Sequence, residues 1–145
     1  MFWYTFFERN QEILNYYDEM KSEMEELIKN GTNLNVKDEW NKTPLHYASF
    51  KGYLDIVRIL INNRVDVDVV DEWGRTPLHY ASMKGYLDIV KILIESGADA
   101  GIIDECGKNP LRLAFEEHHL EVMKILIEHE YKCIFELFCV TVEQS

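Results

Sequence analysis

Residues 38–61 read DEWNKTPLHYASFKGYLDIVRILI, and residues 71–94 read DEWGRTPLHYASMKGYLDIVKILI. The two segments lie 33 residues apart and differ at only four positions. Weaker copies extend the pattern in both directions, since the same offset relates Pro77 to Pro110 and Leu60 to Leu27. A near-duplicate at a fixed period of this length predicts an array of similar units that stack in a row.

Each copy carries the signals of a short first helix. Thr43 is a residue type that caps helix N-termini, and Pro44 follows at the first helical position, where its missing N–H costs nothing. Thr76 and Pro77 repeat this pair in the second copy. Gly52, about two turns later, predicts a helix end in the left-handed region of backbone space.

A second helix follows in each copy, and an extended arm links the copies. Residues 54–61 are apolar on most sides, which is typical of a helix packed between neighbours. Asn62-Asn63 and, in the second copy, Ser96-Gly97 are expected to end this helix. Residues 65–70 alternate Val and Asp, which predicts a short extended segment with one solvated face.

The 33-residue period, the sequence TPLHYA in both copies and GAD at residues 97–99 resemble the ankyrin-repeat family. The resemblance implies an all-α fold: an ankyrin-repeat solenoid of stacked helix-turn-helix units with short finger loops, about four units including degenerate caps. The expected units are a degenerate N-terminal capping repeat at 1–37, ankyrin repeats at 38–70 and 71–103, a divergent C-terminal ankyrin repeat at 104–134, and an apolar tail at 135–145.

The two ends of the array depart from the repeat pattern. Residues 5–30 read as two helices with Glu-rich outer positions, which is typical of a cap. The last repeat has Arg112 in place of His, and His118 and Glu130 in place of Gly. We therefore expect its helices to form and its final turn to be altered.

Charge and cysteine content limit the function classes. The chain has 15 Lys and Arg against 26 Asp and Glu, a formal net charge of −11, which argues against nucleic acid or an anionic membrane as the partner. A basic or mixed-charge protein surface is the expected partner. Cys106, Cys133 and Cys139 form no C-x-x-C pair, which argues against a disulfide framework and indicates a reducing cytosol. No apolar stretch is long enough to span a bilayer.

Histidines and cysteines are the candidate catalytic or metal-ligating residues. In the family that the chain resembles, His46 and His79 are structural hydrogen-bond partners between neighbouring units, and neither has a carboxylate or Cys at ligand spacing. Adjacent His118 and His119 point about 100° apart on a helix and do not readily share a metal. No cysteine has an evident base nearby in the sequence, so we expect no enzyme activity, no metal and no cofactor.

The ankyrin resemblance implies that finger tips and the inner face of each first helix contact a partner. The tip residues are Glu39, Trp40, Lys42, Glu72, Trp73, Arg75, Glu105, Cys106 and Lys108. The inner-helix residues are Phe50, Lys51, Met83, Lys84, Glu116 and Glu117. We predict that all of these except Cys106, Glu116 and Glu117 bind the partner.

Two tryptophans are central to this prediction, and two interpretations of them are open. Trp40 and Trp73 either anchor a partner, as interface hot spots often do, or lie across the neighbouring finger and shield its backbone. Three of the four differences between the copies, Asn41/Gly74, Lys42/Arg75 and Phe50/Met83, fall on fingers or inner helices. A binding scaffold would show this pattern, and so would drift after duplication.

The sequence thus predicts a non-enzymatic protein–protein interaction module, monomeric and cytoplasmic. The alternative is a self-associating assembly or adaptor piece that uses the apolar residues 1–7 or the tail at 133–142, which either caps the last unit or forms a docking strip. Short Tyr- and Asn-rich ankyrin proteins of intracellular bacteria and large viruses look similar to this chain. That resemblance implies a host protein as the partner if the chain has such a source.

Overall fold

The structure, a computed structural model, describes the backbone of residues 13–143 and the side chains of residues 21–137 and 139. Within those residues it contains seven helices and no strand. The helices are α1 Ile13–Lys29, α2 Pro44–Lys51, α3 Leu54–Asn62, α4 Pro77–Lys84, α5 Leu87–Glu95, α6 Pro110–Glu116 and α7 Leu120–Glu143. The all-α prediction is confirmed. Of the two helices predicted over residues 5–30, α1 is one, and the remainder falls on residues outside the described ones.

The short helices begin as predicted. Thr43, Thr76 and Asn109 are the N-cap residues of α2, α4 and α6, each with an extended backbone and each followed by proline. Gly52 and Gly85 end α2 and α4 with φ of 79° and 76°, a region in which a side chain is strained. The sequence signals therefore place these helix boundaries correctly.

The helices form two layers. The short helices α2, α4 and α6 pack side by side as an inner layer, and α1, α3, α5 and α7 pack side by side as an outer layer. Each short helix also packs on the outer helix that follows it. One apolar cluster runs between the layers from Met24 to Leu126, with Ile56, Ile89 and Leu93 almost fully buried. Burial of each such side chain contributes about 1.5–3 kcal/mol, and the cluster runs through several units.

An aspartate builds each finger tip, and two of the three, Asp71 and Asp104, are buried. The Oδ1 atom of Asp71 accepts hydrogen bonds of 3.0 Å from the backbone N–H groups of Trp73 and Arg75. Asp38 and Asp104 close the preceding and following fingers in the same way. Because the tip backbone is bonded to these carboxylates, the tip side chains project from a fixed turn.

Backbone hydrogen bonds join neighbouring fingers. The N–H of Glu72 donates to the carbonyl of Trp40, and the N–H of Glu105 donates to the carbonyl of Trp73, both at 3.0 Å. The fingers therefore form a continuous row along one edge of the stacked helices.

The last outer helix is longer than the others because its turn signal is missing. After α3 and α5 the chain turns through Arg64 and Gly97, with φ of 58° and 88°. Glu130 takes this position in the last unit and remains helical, so α7 continues to Glu143. Residues 133–142 of the predicted tail are thus part of α7 and do not fold back as a cap on the last unit. None of the helices in residues 13–143 is both long and apolar enough to cross a membrane.

Candidate protein interface

Ion pairs link each finger to the next unit. Lys42 Nζ lies 3.3 Å from Asp71 Oδ2, and Arg75 Nε lies 3.1 Å from Asp104 Oδ2. Tyr80 lies at the centre of this network, since its hydroxyl donates to Asp71 Oδ2 at 2.5 Å and accepts from Lys42 Nζ at 2.8 Å. Both aspartates are buried, so these pairs are screened less by salt than surface pairs are.

The environment shifts the pKa of Asp104 and that of Tyr80 in the directions that keep their present charge states. Burial would raise the pKa of Asp104, but hydrogen bonds from the Lys108 backbone and the Arg75 guanidinium hold it below its usual value. Burial, together with the hydrogen bond to Asp71, raises the pKa of the Tyr80 hydroxyl. At neutral pH, therefore, Asp104 is ionised and the Tyr80 hydroxyl is a neutral donor.

The two predicted tryptophan anchors are placed differently. Trp73 lies at a turn and is 44% exposed. Its ring centroid is 4.5 Å from Lys42 Nζ of the preceding finger. Trp40 is half-buried. The Trp73 indole thus contacts a neighbouring finger, and a large part of it is open to solvent.

On the inner helices, Phe50 lies between two lysines. Its ring meets the ring of Tyr80 edge to face, with centroids 5.7 Å apart. Lys84 Nζ lies 4.6 Å and Lys51 Nζ 5.8 Å from the centroid of the Phe50 ring. Phe50 and Met83 are half-buried, so each presents some apolar surface beside these cations.

A cleft of about 610 Å³ opens between α4 and the three fingers built on Asp38, Asp71 and Asp104. Its lining is Lys42, Trp73, Arg75, Tyr80, Asp104, Glu105 and Cys106. The structure therefore brings four predicted binding residues together: Lys42, Trp73, Arg75 and Glu105. Glu39 and Glu72 are exposed at tips outside this lining. Lys108 lies further along the row of fingers and pairs with Glu116 at 2.7 Å.

The histidines join neighbouring units, as predicted. His46 Nε2 lies 2.9 Å from the carbonyl oxygen of Arg75, and His79 Nε2 lies 3.1 Å from that of Lys108. Burial lowers the pKa of His46 from 6.5 to about 4 and lowers that of His79 as well. Across the described residues, no group of His, Cys, Asp and Glu is arranged to hold a metal ion.

Sequence reasoning missed the carboxylates and the tyrosine that hold the candidate interface. Asp71, Asp104 and Tyr80 were not among the predicted site residues, yet they fix the positions of Lys42 and Arg75. A signal was present in the sequence. Aspartates recur every 33 residues at 38, 71 and 104, each with a basic residue four positions later.

His119 is a further residue whose role the sequence did not indicate. It occupies the position of Tyr53 and Tyr86 in the other repeats, and its Nε2 lies 3.0 Å from the carbonyl oxygen of Met83. It therefore joins α7 to the end of α4 and is part of the framework rather than of a metal site.

Comparison with known proteins agrees with this architecture. The family model described as ankyrin repeats (3 copies) matches residues 16–104, which is more than half of the chain. The comparison with curated proteins found no match. Ankyrin repeats are generally protein–protein interaction modules and are typically non-enzymatic. With the sequence match, the two helical layers and the row of fingers in agreement, this chain belongs to the ankyrin-repeat family.

Proposed function

We propose that this chain is a non-enzymatic protein–protein interaction module that binds a protein partner through its finger loops and the inner helix face. The observation that carries the proposal is the cleft beside Trp73, where residues of three successive fingers converge on an indole that is 44% exposed. A Trp at a turn with so much exposed apolar surface gains free energy when a partner covers it, and Trp is enriched among interface hot spots.

The ion pairs support this function because they fix the side chains around the indole in advance. Lys42 and Arg75 are each held by a buried carboxylate. Side chains that are already ordered lose less conformational entropy when a partner binds. The remaining predicted residues of the fingers and inner helices complete the proposed interface.

Two further parts of the proposal are the division of the array into units and the compartment in which the protein works. Helices α6 and α7 repeat the arrangement of the two preceding pairs, which supports a fourth, divergent unit at 104–134. Cys106 and Cys133 are exposed free thiols. Exposed free thiols favour a reducing compartment, so we propose that the protein works in the cytosol as a monomer.

The test is Trp73→Ala, with Tyr131→Ala as the matched control. Tyr131 is also an exposed aromatic, at 70%, but it lies on α7 and not in the cleft. A partner is first purified from the native cytoplasm by affinity, and its dissociation constant for each variant is then measured by calorimetry. We expect Trp73→Ala to weaken binding about 30-fold, or roughly 2 kcal/mol, and Tyr131→Ala to leave it unchanged.

Two outcomes contradict the proposal. Equal binding by the native chain and by Trp73→Ala removes the indole from the interface. A large fall in the melting temperature of Trp73→Ala, measured by circular dichroism, means that the indole is mainly structural. Trp40→Ala is a second variant for the same measurements, since Trp40 lies at the equivalent position of the preceding finger.

A second candidate function is self-association through α7, and one observation favours it. Leu120, Ile134, Phe135 and Leu137 are 62–72% exposed on this helix, and Leu120, Ile127 and Ile134 recur every seven residues. Such a strip is typical of helices that pair. The other predicted self-association segment, residues 1–7, lies outside the described residues.

Sedimentation equilibrium at two protein concentrations tests this second function. Self-association requires a mass that rises with concentration, and it requires Ile134→Asp with Leu137→Asp to return the chain to a monomer. A strict monomer at both concentrations removes the candidate.

A further inference from the structure

We infer that the inner helix face binds an acidic segment of the partner, in which carboxylates flank an apolar side chain. The apolar side chain lies against Phe50 and Met83, and the carboxylates pair with Lys51 and Lys84. This inference rests on the proposed function and adds the chemistry of the partner to it.

The first argument is that these two lysines differ from the other cations of the fingers and inner helices. Lys42, Arg75, Lys108 and Arg112 each have a carboxylate at 2.7–3.3 Å. Among the described residues, neither Lys51 nor Lys84 has a carboxylate within 4.0 Å. Their ammonium groups therefore have unused capacity for an acidic ligand.

The second argument is that both ammonium groups lie beside the same aromatic ring. They are 4.6 and 5.8 Å from the centroid of the Phe50 ring. Each ammonium group can form charge-assisted hydrogen bonds with a carboxylate, and a carboxylate bound beside this ring neutralises either charge. The ring, with Met83 at the equivalent position of the next unit, supplies the apolar surface for a neighbouring side chain.

The third argument is the extent of this arrangement along the array. At the equivalent positions of the last unit, Phe50 and Met83 are replaced by Glu116, and Lys51 and Lys84 by Glu117. The basic and apolar patch of the repeats at 38–70 and 71–103 therefore does not continue into the last unit. The net charge of −11 predicts a basic or mixed-charge partner, but at this patch the local charges favour an acidic one.

The experiment is selection of peptides from a displayed library of random twelve-residue sequences on the immobilised full chain. Synthetic copies of the selected peptides are then measured by fluorescence anisotropy. We expect selected peptides in which Asp or Glu flanks an apolar residue, and we expect added salt to weaken their binding. The double variant Lys51→Glu with Lys84→Glu should weaken binding by about tenfold or more.

The matched control is Arg58→Glu with Lys91→Glu. These residues are exposed, lie at equivalent positions on the outer helices α3 and α5, and give the same change in net charge. This control should leave binding within about twofold, because long-range charge alone is screened at physiological salt. Circular dichroism and melting temperature show whether each variant remains folded.

The outcomes separate this inference from the proposed function. Two results overturn the inference alone. The first is a set of selected peptides that need Phe50 but are neutral or basic. The second is peptides that bind the Lys51→Glu, Lys84→Glu variant as tightly as the native chain. An empty selection also overturns it, because acidic-apolar sequences are abundant in such a library. Peptides that bind the Phe50→Ala and Trp73→Ala variants as tightly as the native chain place the binding surface elsewhere and overturn the proposed function.

Discussion

His79 donates from Nε2 to the carbonyl oxygen of Lys108, 29 residues later in the chain, while its Nδ1 lies 3.0 Å from the backbone N–H of Thr76. The carbonyl only accepts and the N–H only donates, so the ring must be neutral, with its proton on Nε2. His46 makes the same two contacts one unit earlier. Each imidazole thus joins the start of an inner helix to the next finger, and protonation at Nδ1 removes the acceptor of the threonine N–H.

We expect the array to lose stability in mild acid. Burial lowers the folded-state pKa of His46 to about 4, whereas an unfolded histidine titrates near 6.5. The unfolded chain therefore binds more protons in this window, and the free energy of unfolding falls as the pH falls from about 6.5 to 4. His46 accounts for about 3 kcal/mol of that loss, and His79 adds to it in the same direction.

Urea unfolding at a series of pH values measures this effect. His46→Gln should reduce the slope of stability against pH, and His118→Asn, which changes an exposed histidine, should not. A native free energy of unfolding that stays constant between pH 6.5 and 4.5 contradicts the buried neutral state of the ring.

Thr76→Ala should destabilise the array. Thr76 is fully buried, its hydroxyl lies 2.9 Å from His79 Nδ1, and it caps the start of α4. Loss of the cap costs about 1 kcal/mol, and the cost rises further if the His79 contacts fail with it. The measurement is thermal unfolding of Thr76→Ala, compared with that of Thr32→Ala, which changes an exposed threonine. Equal melting curves for the two variants count against this cap.

Gly85→Ala should cost more than Gly97→Ala, although both glycines have positive φ. Both substitutions carry the left-handed strain of roughly 1–2 kcal/mol, since φ is 76° and 88°. A Cβ at Gly85 would also lie 2.5 Å from Nδ1 of His119, while none of the described atoms lies within 4 Å of a Cβ at Gly97. We expect about 1–3 kcal/mol of additional loss at Gly85, read from chemical unfolding. A smaller cost at Gly85 than at Gly97 contradicts this packing of His119.

His118→Gly should stabilise the last unit. His118 occupies the position of Gly52 and Gly85 and has a φ of 60°, so it carries backbone strain that glycine does not. We expect a gain of about 1 kcal/mol in the free energy of unfolding. The adjacent Glu117→Gly is the control, because Glu117 has a φ of −92° and gains nothing from glycine. A stabilising effect in the control instead of in His118→Gly refutes the strain argument.

The array and its local boundaries could be predicted because their signals are local in the sequence. Pro at the first helical position, a capping Thr before it, and Gly in the left-handed region act within one or two turns, and all three appear where the repeat places them. The missing glycine at Glu130 correctly indicated an altered last turn. It did not indicate that the helix would continue to Glu143, because a helix continues or stops according to the whole following segment.

The sequence by itself determined that near-identical helix pairs stack, since a period of 33 residues brings the same apolar faces together at each repeat. Only the tertiary structure decided which charges are paired. Lys42 and Arg75, both predicted to face a partner, are held by aspartates of the next unit, while Lys51 and Lys84 are not paired with a described carboxylate. Residues 29 apart meet only after the units have stacked, and their distance depends on that stacking geometry rather than on any local sequence preference.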